Sequence, residues 1–220
     1  MKKLILLGLS VTAISAQAGV IIQSGMITNG PAPPASFPKA TDFFFNQFDP
    51  NLGILQSVEL KLEASAFSRV EADNESASPT SFTATLDGLV SATTPGLVVN
   101  VVLADAQMGP VVSADEPGDG IGDLAGPDAY SFPNVGGMDS GSDLIVVGLA
   151  PYIGLGSLMG TVTDDNDWSV TGGGDALTQV SESQSKSTWT VIYTYNAIPE
   201  PSSFLGLGFC FAGMMALRRR

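Results

Sequence analysis

Residues 57–66 read SVELKLEASA, and the fold turns on whether this stretch is a helix or a strand. Val58, Leu60, Leu62, Ala64 and Ala66 fall on one side of a two-residue repeat; Ser57, Glu59, Lys61, Glu63 and Ser65 fall on the other. Glu, Leu, Lys and Ala are good helix formers, so local preference opposes the pattern. A helix, however, gathers apolar residues three and four apart, and only a strand puts all five on one face. The repeat predicts a half-buried strand.

Working outward, TWTVIYTYN at 188–196 sets Trp189, Val191, Tyr193 and Tyr195 against Thr190, Ile192 and Thr194, with β-branched and aromatic residues throughout. Further strands are expected in VIIQSGMI from Val20, FTATLDGLV from Phe82, LVVNVVLA from Leu97 and DLIVVGLA from Asp143. Weaker signals lie near 158–163 and 168–171. Clusters of Gly, Pro, Asn and Asp separate these runs, and no long amphipathic helix appears. The expected fold is all-β, an antiparallel β-sandwich of jelly-roll or Ig-like type, because two facing sheets supply the core that one sheet lacks. With 220 residues and 44% hydrophobic content, the chain suits one domain of ordinary size.

Both ends carry a different signature. MKK followed by LILLGLSVTAIS, with Ala16-Gln17-Ala18 as a small-x-small cleavage site, reads as a signal peptide over residues 1–18. Its apolar run is too short for a bilayer span of roughly 20 residues, so the signal helix is expected to be removed by signal peptidase, leaving Gly19 first. At the other end, 204–217 is mostly apolar and would reach about 21 Å as a helix, against about 30 Å of hydrocarbon. Arg218, Arg219 and Arg220 behind it would stay on the cytoplasmic side and leave the body exported.

Setting both ends aside changes the charge. Residues 19–198 hold four basic and 21 acidic side chains, a net charge of −17. Such a surface repels phosphate, which argues against nucleic-acid binding, and favours solubility and cationic partners. The sole cysteine, Cys210, lies in the apolar tail, and histidine does not occur. The body therefore has no disulfide, no Ser-His-Asp or Cys-His group and no zinc site built on His or Cys.

The tail as a whole, Pro199-Glu200-Pro201-Ser202, an apolar helix over 204–217 and the basic residues 218–220, resembles the PEP-CTERM sorting signal of exported bacterial proteins. That resemblance implies transient holding in the inner membrane, cutting by an exosortase-like membrane peptidase, and delivery to the cell surface or an extracellular polysaccharide matrix. A second resemblance rests on Gln47-Phe48-Asp49-Pro50-Asn51-Leu52-Gly53 and the late aromatic-Thr strand, which are similar to the choice-of-anchor E domain of exported bacterial proteins. It implies one β-rich domain over 19–197. Read physically, the same residues are a strand end turned by Asp-Pro-Asn.

The candidate ligands are acidic. ADEPGDGIGD carries Asp115, Glu116, Asp119 and Asp123, and TDDNDW carries Asp164, Asp165 and Asp167, placed just before a strand; oxygen-rich loops suit Ca²⁺. The EF-hand pattern fails, since Pro117 stands at its third position and Gly126 at its twelfth. No other cofactor is expected. Three functions remain: a non-catalytic exported protein, the leading one; a carbohydrate- or calcium-binding module, with Trp168, Trp189 or Tyr152 stacked on sugars; and a two-carboxylate glycosidase.

Overall fold

The alternation at 57–66 continues through a strand more than twice that length. The structure, a computed structural model, describes residues 18–30, 37–115, 124–173 and 175–198. Eight strands follow one another: β1 Ala18–Asn29, β2 Lys39–Asn46, β3 Gly53–Asn74, β4 Thr80–Thr94, β5 Leu97–Val112, β6 Ala129–Ile145, β7 Ser157–Thr171 and β8 Ala176–Ala197. One 3-10 turn, Ala150–Tyr152, lies between β6 and β7. The signal helix and the C-terminal membrane helix expected from sequence lie outside the described residues.

The strands form two antiparallel four-stranded sheets, ordered β1-β8-β3-β6 and β2-β7-β4-β5. First pairs with last, second with seventh, third with sixth and fourth with fifth. That is the jelly-roll arrangement, a long hairpin rolled over itself. An Ig-like order would pair the first two strands in one sheet, whereas here they lie in opposite sheets.

Inner faces follow the period-two pattern. Val58, Leu60, Leu62, Ala64 and Ala66 of β3 are buried, and Phe82, Ala84, Leu86 and Val90 of β4 face them from the other sheet. Trp189 and Phe43 stack with ring centroids 4.5 Å apart, joining β8 to β2 across the sandwich. The indole needs Gly25 beside it, because a Cβ there would come within 2.6 Å of the ring. Where β1 and β2 meet at the flank, Gln23 closes the gap: its Nε2 donates to Asn46 O (2.9 Å) and its Oε1 accepts from Asn46 N (2.8 Å).

Two expectations shift. The strand expected from Asp143 instead ends at Ile145 and begins at Ala129, so the Gly-rich stretch 134–142 is strand. Register with β3 overrides its turn-like composition, and small residues let neighbours approach: a Cβ on Gly136 would meet Phe67 at 2.3 Å. The two weak signals near 158–163 and 168–171 are one strand, β7, held continuous by pairing with both β2 and β4.

Candidate sorting junction and the sequence-nominated ligands

The chain enters and leaves the sandwich at one point. Ala18, the first residue of β1, pairs with Asn196 of β8, and Ala197 pairs with Gly53 at the start of β3. The next residue, Ile198, donates its N–H to Leu52 O at 3.2 Å. The nominated signal-cleavage residue Ala18 and the strand leading into the tail therefore lie side by side. Ala16, the sorting residues Pro199, Glu200, Pro201 and Ser202, and the basic residues Arg218, Arg219 and Arg220 lie outside the described residues.

The turn at 47–53 holds this junction. Asp49 Oδ1 accepts from Asn51 N (2.8 Å) and Asn51 Nδ2 (2.9 Å), an Asx turn of the kind Asp-Pro-Asn favours. Phe48 is buried against Tyr195 and Tyr193, with centroids 5.1 and 6.1 Å away. Phe48 N donates to Tyr152 O (2.7 Å), and Gly154 N donates to Phe48 O (3.0 Å), so the 146–156 connection is sewn to the turn. Tyr152 gives its hydroxyl proton to Pro95 O (2.7 Å) at the Pro95-Gly96 hairpin turn, so Thr94 must be the donor in its own 2.7 Å bond to that oxygen. Tyr193 OH donates to Asn46 O (2.9 Å).

Burial raises both phenols above their ordinary value of 10.0. For Tyr193, the neighbouring Tyr152 adds to the rise; for Tyr152, the Thr94 bond offsets part of it and Asp143 adds a little. Both phenols are thus held neutral and hydrogen-bonded within the packing beneath the turn.

Strand alternation scatters the calcium candidates. Asp164, Asp165 and Asp167 lie within β7 rather than ahead of a strand. Asp164 points inward, and its carboxylate accepts from Asn29 Nδ2 (2.5 Å), Ser185 Oγ (2.8 Å) and Ser187 Oγ (3.1 Å), pinning one sheet to the other. Asp165 and Asp167 are exposed on the opposite face, where Asp167 sits across from Asp87 of β4. Asp115 is exposed, and its N–H bonds to Ser76 O (2.9 Å). Asp119 and Asp123 are outside the described residues. Among the described residues no group of three or more His, Cys, Asp or Glu side chains is placed to hold a metal.

The nominated sugar-stacking aromatics are core residues, which corrects that expectation. Tyr152 is fully buried, and Trp168 and Trp189 are buried, the former with Nε1 donating to Val135 O (3.0 Å). Trp189 packs on Phe43 and Phe45 of the opposing sheet, Tyr152 on Phe45 and Tyr193, and Trp168 on Phe37. On the outer face of the first sheet lies an open trough of about 330 Å³ lined by Glu63, Ser65, Met138, Asp139, Lys186 and Thr188. Sequence reasoning did not nominate it, because its residues come from three strands whose adjacency only the register shows.

Fold and junction together define an all-β jelly-roll body from which a short C-terminal tail departs. That tail, residues 197–220, matches the model of the PEP-CTERM protein-sorting motif. The motif implies export, surface sorting and processing by exosortase-like machinery. No curated protein matches the chain. Among solved structures, the infectious bursal disease virus VP2 subviral particle is similar at 10% identity and a TM-score of 0.25, over 86% of this chain and 43% of that one. The structure of the Gx strain of the same virus gives 9% and 0.26, over 94% and 49%. The chain spans less than half the length of each, and likeness this slight says nothing about its fold or activity.

Proposed function

We propose that this is a non-catalytic exported bacterial protein whose body is carried to the cell surface or extracellular polysaccharide matrix by its C-terminal tail. Signal peptidase would cut after Ala18. The tail would then hold the body at the inner membrane until an exosortase-like peptidase cuts near Pro199–Ser202. The observation that carries this reading is the sorting motif at 197–220, which begins where β8 ends. The cut would thus fall outside the hydrogen-bonded sheet, leaving the sandwich whole. We read the body as a choice-of-anchor E type domain, a reading that rests on the resemblance of the 47–53 phrase and the late aromatic strand.

Intact mass of the mature protein from the producing cells tests the reading. Loss of residues 1–18 and of the chain beyond the Pro199–Ser202 region is expected. A mature mass that retains Arg218–Arg220 would overturn it in favour of a permanent anchor.

A further inference from the structure

The loops around the chain exit are apolar and almost uncharged, in a body that is otherwise strongly acidic. Residues 18–25, 46–56, 90–100, 144–161 and 189–198 build this end and hold one charged residue, Asp49. The nearest others are set back from the loops: Asp143 accepting from Val98 N (3.1 Å), Asp42 accepting from Thr161 Oγ1 (2.8 Å), and Glu59 and Lys61 on β3 level with Ile192 and Thr190. Leu52, Val146, Val147, Ile153, Leu155 and Ile198 are exposed there, Val147 at 77% and Leu155 at 79%. These side chains sit on two connections bonded to each other, Gln47 N to Gly156 O (2.9 Å) and Phe48 N to Tyr152 O (2.7 Å), and on the exit strand itself. Exposed apolar clusters of this kind mark interaction surfaces. The opposite end gathers Glu75, Asp115, Asp128 and Asp175 through the backbone bonds Glu75 N to Asp175 O, Asn74 N to Asp128 O and Asp115 N to Ser76 O.

Given the sorting reading, on which this rests, we propose that the apolar end is a membrane-apposed face that dips into the lipid interface while the tail is held in the bilayer. Only residues 199–203 separate Ile198 from the apolar run, and five residues reach at most about 18 Å. A tether that short keeps the exit loops beside the headgroups at high effective concentration. Apolar side chains whose loops carry a single charge, Asp49, suit the boundary between headgroups and acyl chains, where an apolar face sinks about 5–10 Å. The acidic end then points away from the lipid, which spares the body the repulsion its charge would meet at an anionic surface. A second copy is the poorer occupant. Two bodies joined end to end by a twofold axis lie on opposite sides of their contact, whereas tails in one bilayer require both bodies on the same side.

The test uses the chain without its signal peptide, residues 19–220, in phosphatidylcholine vesicles, labelled with a polarity-sensitive dye at one cysteine at a time. The sites are native Cys210 in the tail, Val147→Cys and Leu155→Cys at the exit end, and Ala77→Cys at the acidic end, each of the last three with Cys210→Ser. All three new sites are exposed, so folding is not at stake. Blue-shifted emission and quenching by doxyl-labelled lipid are expected at 210, 147 and 155, and neither at 77. Quenching at 210 with water-exposed labels at 147 and 155 overturns this inference and leaves the sorting reading standing. An unquenched label at 210 removes both. Energy transfer between labels at 155 on different molecules, without lipid quenching, reassigns the face to a second copy and overturns the proposal.

Discussion

The two ends of the sandwich are built from the same strands and differ in what their connections carry. At the exit end, aromatic packing and backbone bonds tie 47–53 and 146–156 to the last residues of β8, and charge is nearly absent. At the far end, acidic residues gather where β3, β4, β6 and β8 turn. The fold needs only that each end be closed. The difference between them is therefore not a requirement of the fold, and it can be broken one residue at a time.

Phe48→Ala should have the largest effect. Removing a ring that packs on Tyr193 and Tyr195 beneath the exit turn is expected to cost about 3–5 kcal/mol, read as a lower urea midpoint with unchanged slope. A loss under 1 kcal/mol would mean that the junction is not held by packing.

Asp164→Ala comes next, in the interior between the two ends. Three donors lose their acceptor, so a loss of about 3 kcal/mol is expected, while Asp165→Ala on the exposed face of the same strand stays within about 0.5 kcal/mol. Equal effects at the two positions would contradict the inward placement of Asp164.

Alkaline pH tests the exit end alone. A phenol raised by burial contributes stability that is complete below its unfolded value near 10.0 and is lost as pH climbs toward the folded value. Stability should therefore fall above about pH 10, and Tyr193→Phe should flatten that fall while costing about 1 kcal/mol at neutral pH through the lost bond to Asn46 O. Chemical denaturation at pH 7 and at pH 11 measures both.

On the outer face of β7, Asp167 stands directly opposite Asp87, and like charges so placed repel. Asp167→Asn should raise stability by about 0.5 kcal/mol at low salt, less at high salt. Calcium titration followed by thermal melting probes the same residues: a millimolar Ca²⁺ stabilisation that Asp167→Asn abolishes would assign Asp167 to a cation site after all. The smallest effect is expected for Leu155→Glu, within about 0.5 kcal/mol for the folded body, since its side chain is 79% exposed.

Much of the fold was legible because alternation is a local property. SVELKLEASA and TWTVIYTYN named their buried faces correctly, down to Val58, Leu60, Leu62, Trp189 and Tyr193. The Gly-rich 134–142 was not, since what makes it strand is register with β3, which lies more than sixty residues away in sequence. TDDNDW misled for a related reason. Its composition resembles a loop, and pairing with β4 along its whole length, joined by β2 as far as Asp164, keeps it extended and sends Asp164 inward and Asp165 outward.

By itself, the sequence determined that the body is all-β, acidic, and without cysteine or histidine, and that its tail is a sorting signal. These depend on composition, period and a contiguous motif. The tertiary structure alone decided that the sandwich is a jelly roll, that the tryptophans are core, and that Ala18 and Ile198 lie beside the same nearly uncharged loops. Those facts depend on which strands are neighbours, and neighbours are chosen by long-range pairing and the burial of both inner faces, neither of which any single stretch of the chain contains.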